Sequence, residues 1–503
     1  MPRIPLLSGT RLVVVPAPDD AVVLRPPPPA DGVADVAAAV RDAVRFPLEG
    51  ASLAALARGC KRVTIVVEPP ALPIPGVAAD PRQLAIGAVV DELEQHGIAS
   101  GYQTILVASG LGRRPAQAEL EALVTPDLAR RFHGRVVVHD AEDPELVLVA
   151  GETRPPLRVN RALTETDLVV ILTAAETVLH GGPAALLRAA GADALRAAGA
   201  YSLLETAASQ GWQLAVALER ALARRVPLLG VSLVLNHPQI SGALRGYPYD
   251  PAADARIAGS SLRFVYSGLP GALRSRVLRA IPAEISVAAA FAGPPSVAHA
   301  EALLRAVELR RTELDEPLDA IVIGVPRATP FLPRERPNPL LVTYLGLGLA
   351  LRLWRDAFPV VEGGTAILVN RFVRVFPHPT QQPYRAFFHA ARAGRDPQLL
   401  AEAERSVRED ARALAEYRAG RTVHPLLPFA DWSACQPALG RLGAVLVAGA
   451  RDATAVRDLG FVPARSVGAA LHLARGRTGS HARIGFLLSP PYFPLRVGRP
   501  DEN

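Results

Sequence analysis

An α/β fold with mostly parallel sheets flanked by helices, divided into two domains with a cleft between them, is what this chain predicts. From about residue 60, short apolar runs alternate with stretches of helical length and period. Several helical stretches follow a strand after only a few residues, as crossover units require. Half of the 503 residues are hydrophobic and a fifth are charged, the balance of a folded core, and the length exceeds what one core commonly serves.

In the first half the strand candidates are RVTIVV, TILVA, RVVVH, DLVVILT, LLGVSLVL and ISVAAAF. The helix candidates between them are Pro81 to Gln95, Ala116 to Phe132, Gln210 to Arg224 and Ser296 to Leu314. After RRTELDEP a second set begins: the strand DAIVIGV, a helix from Asn338 to Trp354, TAILVN, a long charged helix from Pro397 to Arg418, GAVLVAG, VGAALHLA and RIGFLL. These place a boundary near Asp315 to Pro317, giving domains 1–314 and 315–503, with the final segment free to pack back on the first. His237 to Pro282 has weaker periodicity and reads as an insertion, and no tandem repeat of short period is present.

Composition excludes several classes. The opening MPRIPLLSGTRLVVVPAP has no export-length apolar region, and Pro2 and Pro5 interrupt it. The longest apolar stretch, PLLVTYLGLGLALRLW, is closed by Arg352 after about a dozen residues, short of the roughly 20 that a membrane span needs. Neither a membrane nor nucleic acid is expected as a partner: net charge is +7, but the arginines fall singly or in pairs along the whole chain. Cys60 and Cys435 stand far apart, which fits a reducing, cytoplasmic setting and no zinc knuckle. The Lys+Arg total of 55 comprises 54 arginines and a single lysine, Lys61.

In open α/β sheets ligands bind beyond the carboxyl ends of strands, so the loops there carry the candidate site. VTIVVEPPALPIP offers Glu68 and then a stiff, apolar proline loop, equally a plain structural turn. ASGLGRRPAQAEL has Gly110 and Gly112 for the turn, then Arg113 and Arg114, with Pro115 suited to begin a helix: an anion cradle, or solvated arginines at a helix start. TAAETVLHGGPAALLRAAG brings Glu176 and His180 to a strand end beside Gly181 and Gly182. His180 is placed to act as acid or base, or to bond to its own loop. No H-E-x-x-H, Walker loop, G-x-S-x-G elbow or complete G-x-G-x-x-G occurs, so no metal site is expected.

In this order the loops resemble those of the nickel-dependent lactate racemase family, over most of the chain. EPPALPIP matches the frame of that family's D-D-x-T-R-P-x-P at Pro73 and Pro75, with Pro69, Ala71 and Leu72 at the positions of the second Asp, the Thr and the Arg. ASGLGRRP is similar to A-T-G-x-H-R-P, with Gly112 in the place of a catalytic histidine and Arg113 kept. ETVLHGGPAALLRAAG is similar to E-P-H-x-x-x-G-x-S-G-G-x-K-x-x-x-P-G, shortened by two residues. There Val178 falls in the histidine's column, His180 lies two positions on, and Leu186 to Arg188 cover the lysine. PLLVTYLGLGLAL resembles P-L-D-x-x-x-Y-Q-x-x-K, keeping Tyr344 and placing Gly348 where the lysine belongs.

The resemblance implies a cofactor, the nickel-pincer nucleotide, which in active members is tethered to a lysine and takes a hydride from a 2-hydroxy acid while two histidines relay a proton. This chain lacks the lysine tether, the first histidine and the nickel-binding histidine. The expected function is therefore that of a lactate-racemase-like protein with a degenerate site that binds a small anionic metabolite, such as a hydroxy acid. Arg113, Arg114, Gly110, Gly112, Glu68 and Glu176 would contact the anion, with His180 and Tyr344 the catalytic candidates. An active 2-hydroxy acid racemase or epimerase with altered cofactor binding, and a non-catalytic structural or regulatory protein, remain as alternatives.

Overall fold

The computed structural model describes residues 2–69, 80–327, 338–393, 397–479 and 481–498. All six apolar runs of the first half pair into one six-stranded sheet, in the order Val287–Gly293, Leu228–Leu235, Leu168–Ala174, Val63–Val67, Gln103–Val107, Arg135–Val138. The pairs are parallel except that between Leu228–Leu235 and Val287–Gly293 at one edge. The central strands Val63–Val67 and Leu168–Ala174 are buried at every position, because helices cover both faces and each face needs apolar side chains. Arg82–Gln95 lies on one face and Gln210–Ala223 on the other.

The second half builds another six-stranded sheet, all parallel: Val462–Ala464, Ala444–Ala448, Val360–Val369, Leu318–Gly324, Ile484–Leu487 and Val22–Leu24. Its last strand comes from the start of the chain. The hairpin Arg3–Ser8/Arg11–Pro16 also packs there, with Ile4, Leu6 and Val15 in one apolar cluster with Ala320, Val322 and Phe486. The two halves share their largest apolar cluster, in which Leu111, Val178 and Leu203 meet Leu345, Leu353 and Tyr417.

Several elements differ from the sequence reading. Pro115 does not begin a helix: the turn runs Gln117–Glu121, with Glu119 reaching back to the Ala116 N–H at 2.6 Å, and a second helix, Pro126–Arg131, follows Thr125. The single helix expected from 397 to 418 is two, Pro397–Arg408 and Ala411–Arg418, the second started by Asp410 accepting from two backbone N–H groups. The stretch expected as one helix from 338 to 354 is α-helical over Pro339–Thr343, widens to a π-helix over Tyr344–Leu349, tightens to a 3₁₀ turn over Ala350–Arg352 and ends in the short strand Trp354–Arg355. Gly346 and Gly348 sit in the widened turn, where a Cβ on Gly346 would lie 2.5 Å from Leu368.

Candidate functional site

In the first sheet the chain leaves Val63–Val67 for Gln103–Val107 on one side and later returns to Leu168–Ala174 on the other. The crevice of an open α/β sheet lies where the strand order reverses in this way. Glu68 and Glu176 follow these two strands directly, and both are buried. Two arginines meet them. Arg188, at the end of the short helix Pro183–Leu187, places Nε 3.4 Å from Glu68 Oε2 and donates to the Ala108 and Ser109 carbonyls. Arg82 binds Asp80 and lies 3.8 Å from Glu176 Oε1.

Burial raises the Glu68 carboxyl to about 7, against the attraction of Arg188 and with the repulsion of Glu176. Glu68 therefore holds a proton for much of the time at neutral pH.

The Gly181 turn has no room for a side chain. Gly181 has φ of +95°, and a Cβ there would lie 2.3 Å from His299 Cε1 and 2.5 Å from the Ala174 carbonyl. Gly181→Ala is expected to cost roughly 2–4 kcal/mol in urea denaturation, through strain and displacement of His299; a variant as stable as wild type would contradict this packing.

His180 lies next to the turn, its Nδ1 3.0 Å from the Thr177 hydroxyl, which also accepts from the Leu179 N–H. Burial, and then the fields of Arg188 and Arg352, hold its pKa well below the usual imidazole value, so the ring is neutral at pH 7. Tyr344, from the second half, feels the same two guanidinium groups, although burial is the main cause that raises its pKa. Arg188 thus lies beside Glu68, and its field reaches His180 and Tyr344.

Arg113 and Arg114 are engaged by the chain itself. Arg113 donates to Glu119 at 2.6 Å, and Arg114 donates to the Arg418 carbonyl at 3.0 Å. Gly110, with φ of +59°, and Gly112 form the turn between them and the strand, and Tyr417 donates from its hydroxyl to the Gly110 carbonyl. This loop is a clamp between the halves, reinforced by the Leu111 carbonyl accepting from the His424 N–H and by His424 Nε2 lying 3.0 Å from Glu142.

Three site residues were not singled out from sequence: Arg82, Arg188 and Arg352. Arg352 is buried and spends three of its five N–H groups on the carbonyls of Gly348, Ala200 and Tyr201. Among the described residues it has no carboxylate partner. Its position one turn after Gly348 was the available signal. Close by, Asp431 accepts a 2.5 Å hydrogen bond from the Tyr384 hydroxyl, and burial raises its carboxyl to about 7. Of the proline loop, Glu68 and Pro69 are described, while Pro70 to Gly76 lie outside the described residues. Leu179 packs onto Gly211 of the neighbouring helix.

The residues present do not fit a lysine-tethered nickel-pincer nucleotide. Among the described residues no three His, Cys, Asp or Glu side chains are grouped to hold a metal. The lysine segment ends in Arg188, whose guanidinium is committed to Glu68. Lys61 precedes Val63–Val67, at the end of the sheet opposite Glu68.

These features define a class: a two-sheet α/β scaffold with the switch point of its first sheet at Glu68 and Glu176 and an apolar cluster shared by both halves. Residues 8–180 match the family model described as the lactate racemase N-terminal domain. The fold as a whole is lactate-racemase-like. It is similar to the lactate racemase apoprotein from Thermoanaerobacterium thermosaccharolyticum, with a TM-score of 0.62 at 16% identity, over 98% of this chain and 100% of that one. A protein from Thermotoga maritima, solved as a structural-genomics target, is similar at a TM-score of 0.47 and 13% identity, over 92% of this chain and 97% of that one. No curated protein matched the sequence. The family resemblance and the α/β architecture expected from the sequence are borne out.

Proposed function

We propose that this lactate-racemase-like protein has a degenerate nickel-pincer site and that its crevice binds a small anionic metabolite, such as a 2-hydroxy acid. The observation that carries this reading is Arg352: a buried guanidinium without a carboxylate partner among the described residues, with two N–H groups left over, acting on both His180 and Tyr344. A buried cation of this kind is stabilised by an incoming carboxylate, which it can hold in bidentate fashion. The neutral His180 ring and the Tyr344 hydroxyl would then meet the ligand's hydroxyl groups.

Thermal shift with 2-hydroxy acids, sugar acids and the corresponding uncharged amides tests it. The acids should raise the Tm of wild type, a ligand at a hundred times its Kd contributing about 2.7 kcal/mol, while the amides should not. Arg352→Lys, which keeps the charge but loses the fork, should weaken the response, and Arg113→Ala should leave it intact. Equal responses to acids and amides, or none to either, would end the proposal.

One observation favours a second reading, a scaffold without chemistry: Val178, in the column of the missing histidine, is fully buried in the apolar cluster shared by both halves. On that reading no member of the acid panel shifts the Tm.

A further inference from the structure

The segment read from sequence as a weakly periodic insertion forms three helices, and two of them, Leu262–Gly268 and Gly271–Ala280, present apolar side chains outward. Leu262, Phe264 and Val265 are each about two-thirds exposed, at 68%, 65% and 66%, and Leu273 and Val277 are nearly half exposed. An exposed Phe flanked by Leu and Val is costly in water and needs a reason.

These helices are rigidly seated. The Tyr266 hydroxyl donates to the Thr10 carbonyl at 2.7 Å, and the buried Arg274 donates to the Ser267 and Leu269 carbonyls. The apolar face is therefore held out rather than frayed.

The charge along the segment itself has one sign. From Ala255 to Ala283 the chain carries five arginines, at 256, 263, 274, 276 and 279, and no acidic residue. Arg263 lies over the Phe264 ring at 4.4 Å, and Arg276 is exposed on the same helix as Leu273 and Val277. Arg11 of the adjoining hairpin is lowered in pKa by burial first and then by repulsion from Arg274 and Arg451. A second copy apposed face to face would bring like charges together, and a nucleic acid would leave Phe264 and Val265 without apolar partners. An interface that takes apolar side chains into its acyl boundary and arginines at its headgroups satisfies both.

We propose that the Leu262–Ala280 face docks the protein peripherally on an anionic phospholipid surface. No helix among the described residues is long and apolar enough to cross a membrane, and peripheral docking requires none. The patch lies on the insertion and not at the crevice, so it stands whether or not the crevice binds an anion.

Vesicle flotation of the full chain tests it, comparing vesicles of mixed phosphatidylglycerol and phosphatidylcholine with vesicles of phosphatidylcholine alone. Binding should be confined to the anionic vesicles and should weaken with added salt. It should fall by about tenfold or more in Phe264→Ser/Val265→Ser and separately in Arg276→Glu. All these positions are exposed, so circular dichroism should show both variants folded. Absence of flotation with anionic vesicles, or equal flotation with both kinds, overturns the proposal. So does a wild type that is oligomeric in light scattering and becomes monomeric in the Phe264→Ser/Val265→Ser variant without lipid, because a second copy would then be the occupant.

Discussion

Lowering the pH from 7 to 4 is expected to destabilise the protein, and three buried histidines drive the loss. His139, His237 and His299 each place Nε2 against a backbone carbonyl, of Ala190, Arg310 and Thr177 respectively, which fixes the neutral tautomer with the proton on Nε2. Burial lowers their pKa values to about 4, 3 and 4, from 6.5. Because each folded value lies below the unfolded one, the unfolded chain takes up the proton first, and stability present above pH 6.5 is lost as the pH falls towards 4. A tenfold change in proton affinity corresponds to about 1.4 kcal/mol, so each ring contributes roughly 3 kcal/mol or more, and the three together approach the whole stability of an ordinary domain. Glu68 and Asp431 work in the opposite direction. Their folded values near 7 are raised, so their contribution is complete below the usual carboxyl range and disappears as the pH rises through 7. Urea denaturation at intervals from pH 8 to 4 should give greatest stability near pH 6.5 and a shallow acid limb, because the two carboxyls offset most of what the rings lose. In a Glu68→Gln/Asp431→Asn chain, which lacks the opposing carboxyls, a profile flat between pH 7 and 5 would show that the rings are not buried neutral.

Arg188→Met is expected to cost about 3–5 kcal/mol at pH 8, because it leaves the buried Glu68 carboxylate without its cation. The cost should be smaller at pH 6, where Glu68 already carries a proton. Adding Glu68→Gln to the Arg188→Met chain should restore most of the loss at pH 8, since a neutral amide does not need the guanidinium. If the two substitutions simply add in a double-mutant cycle at pH 8, the pair is not coupled and the switch point is held together by something other than this ion pair.

The sequence makes the first sheet legible because its strands are buried on both faces and read as continuous apolar runs. It also directs the search to the loops after Val63–Val67 and Leu168–Ala174: Glu68, Glu176 and His180 lie at the reversal of strand order. It is less informative where side-chain length decides the outcome. Among 54 arginines nothing local distinguishes Arg188, whose guanidinium group acts several ångströms from its own backbone, and only the position one turn after Gly348 marks Arg352. The Arg113 loop shows the reverse failure: its residues have the chemistry of an anion cradle, but Glu119, on the following turn, supplies an anion from within the chain. The uneven helix of 339–352 escapes periodicity because Gly346 and Gly348 permit a widened turn in which Arg352 donates to the Gly348 carbonyl.

Val22–Leu24 lies at the edge of the second sheet beside Ile484–Leu487, more than four hundred residues away along the chain. An early strand therefore waits for a very late one before it has a partner. Severing the polypeptide near residue 315 would strand that edge on the wrong fragment, so co-expressed halves should reassemble only by exchanging their ends.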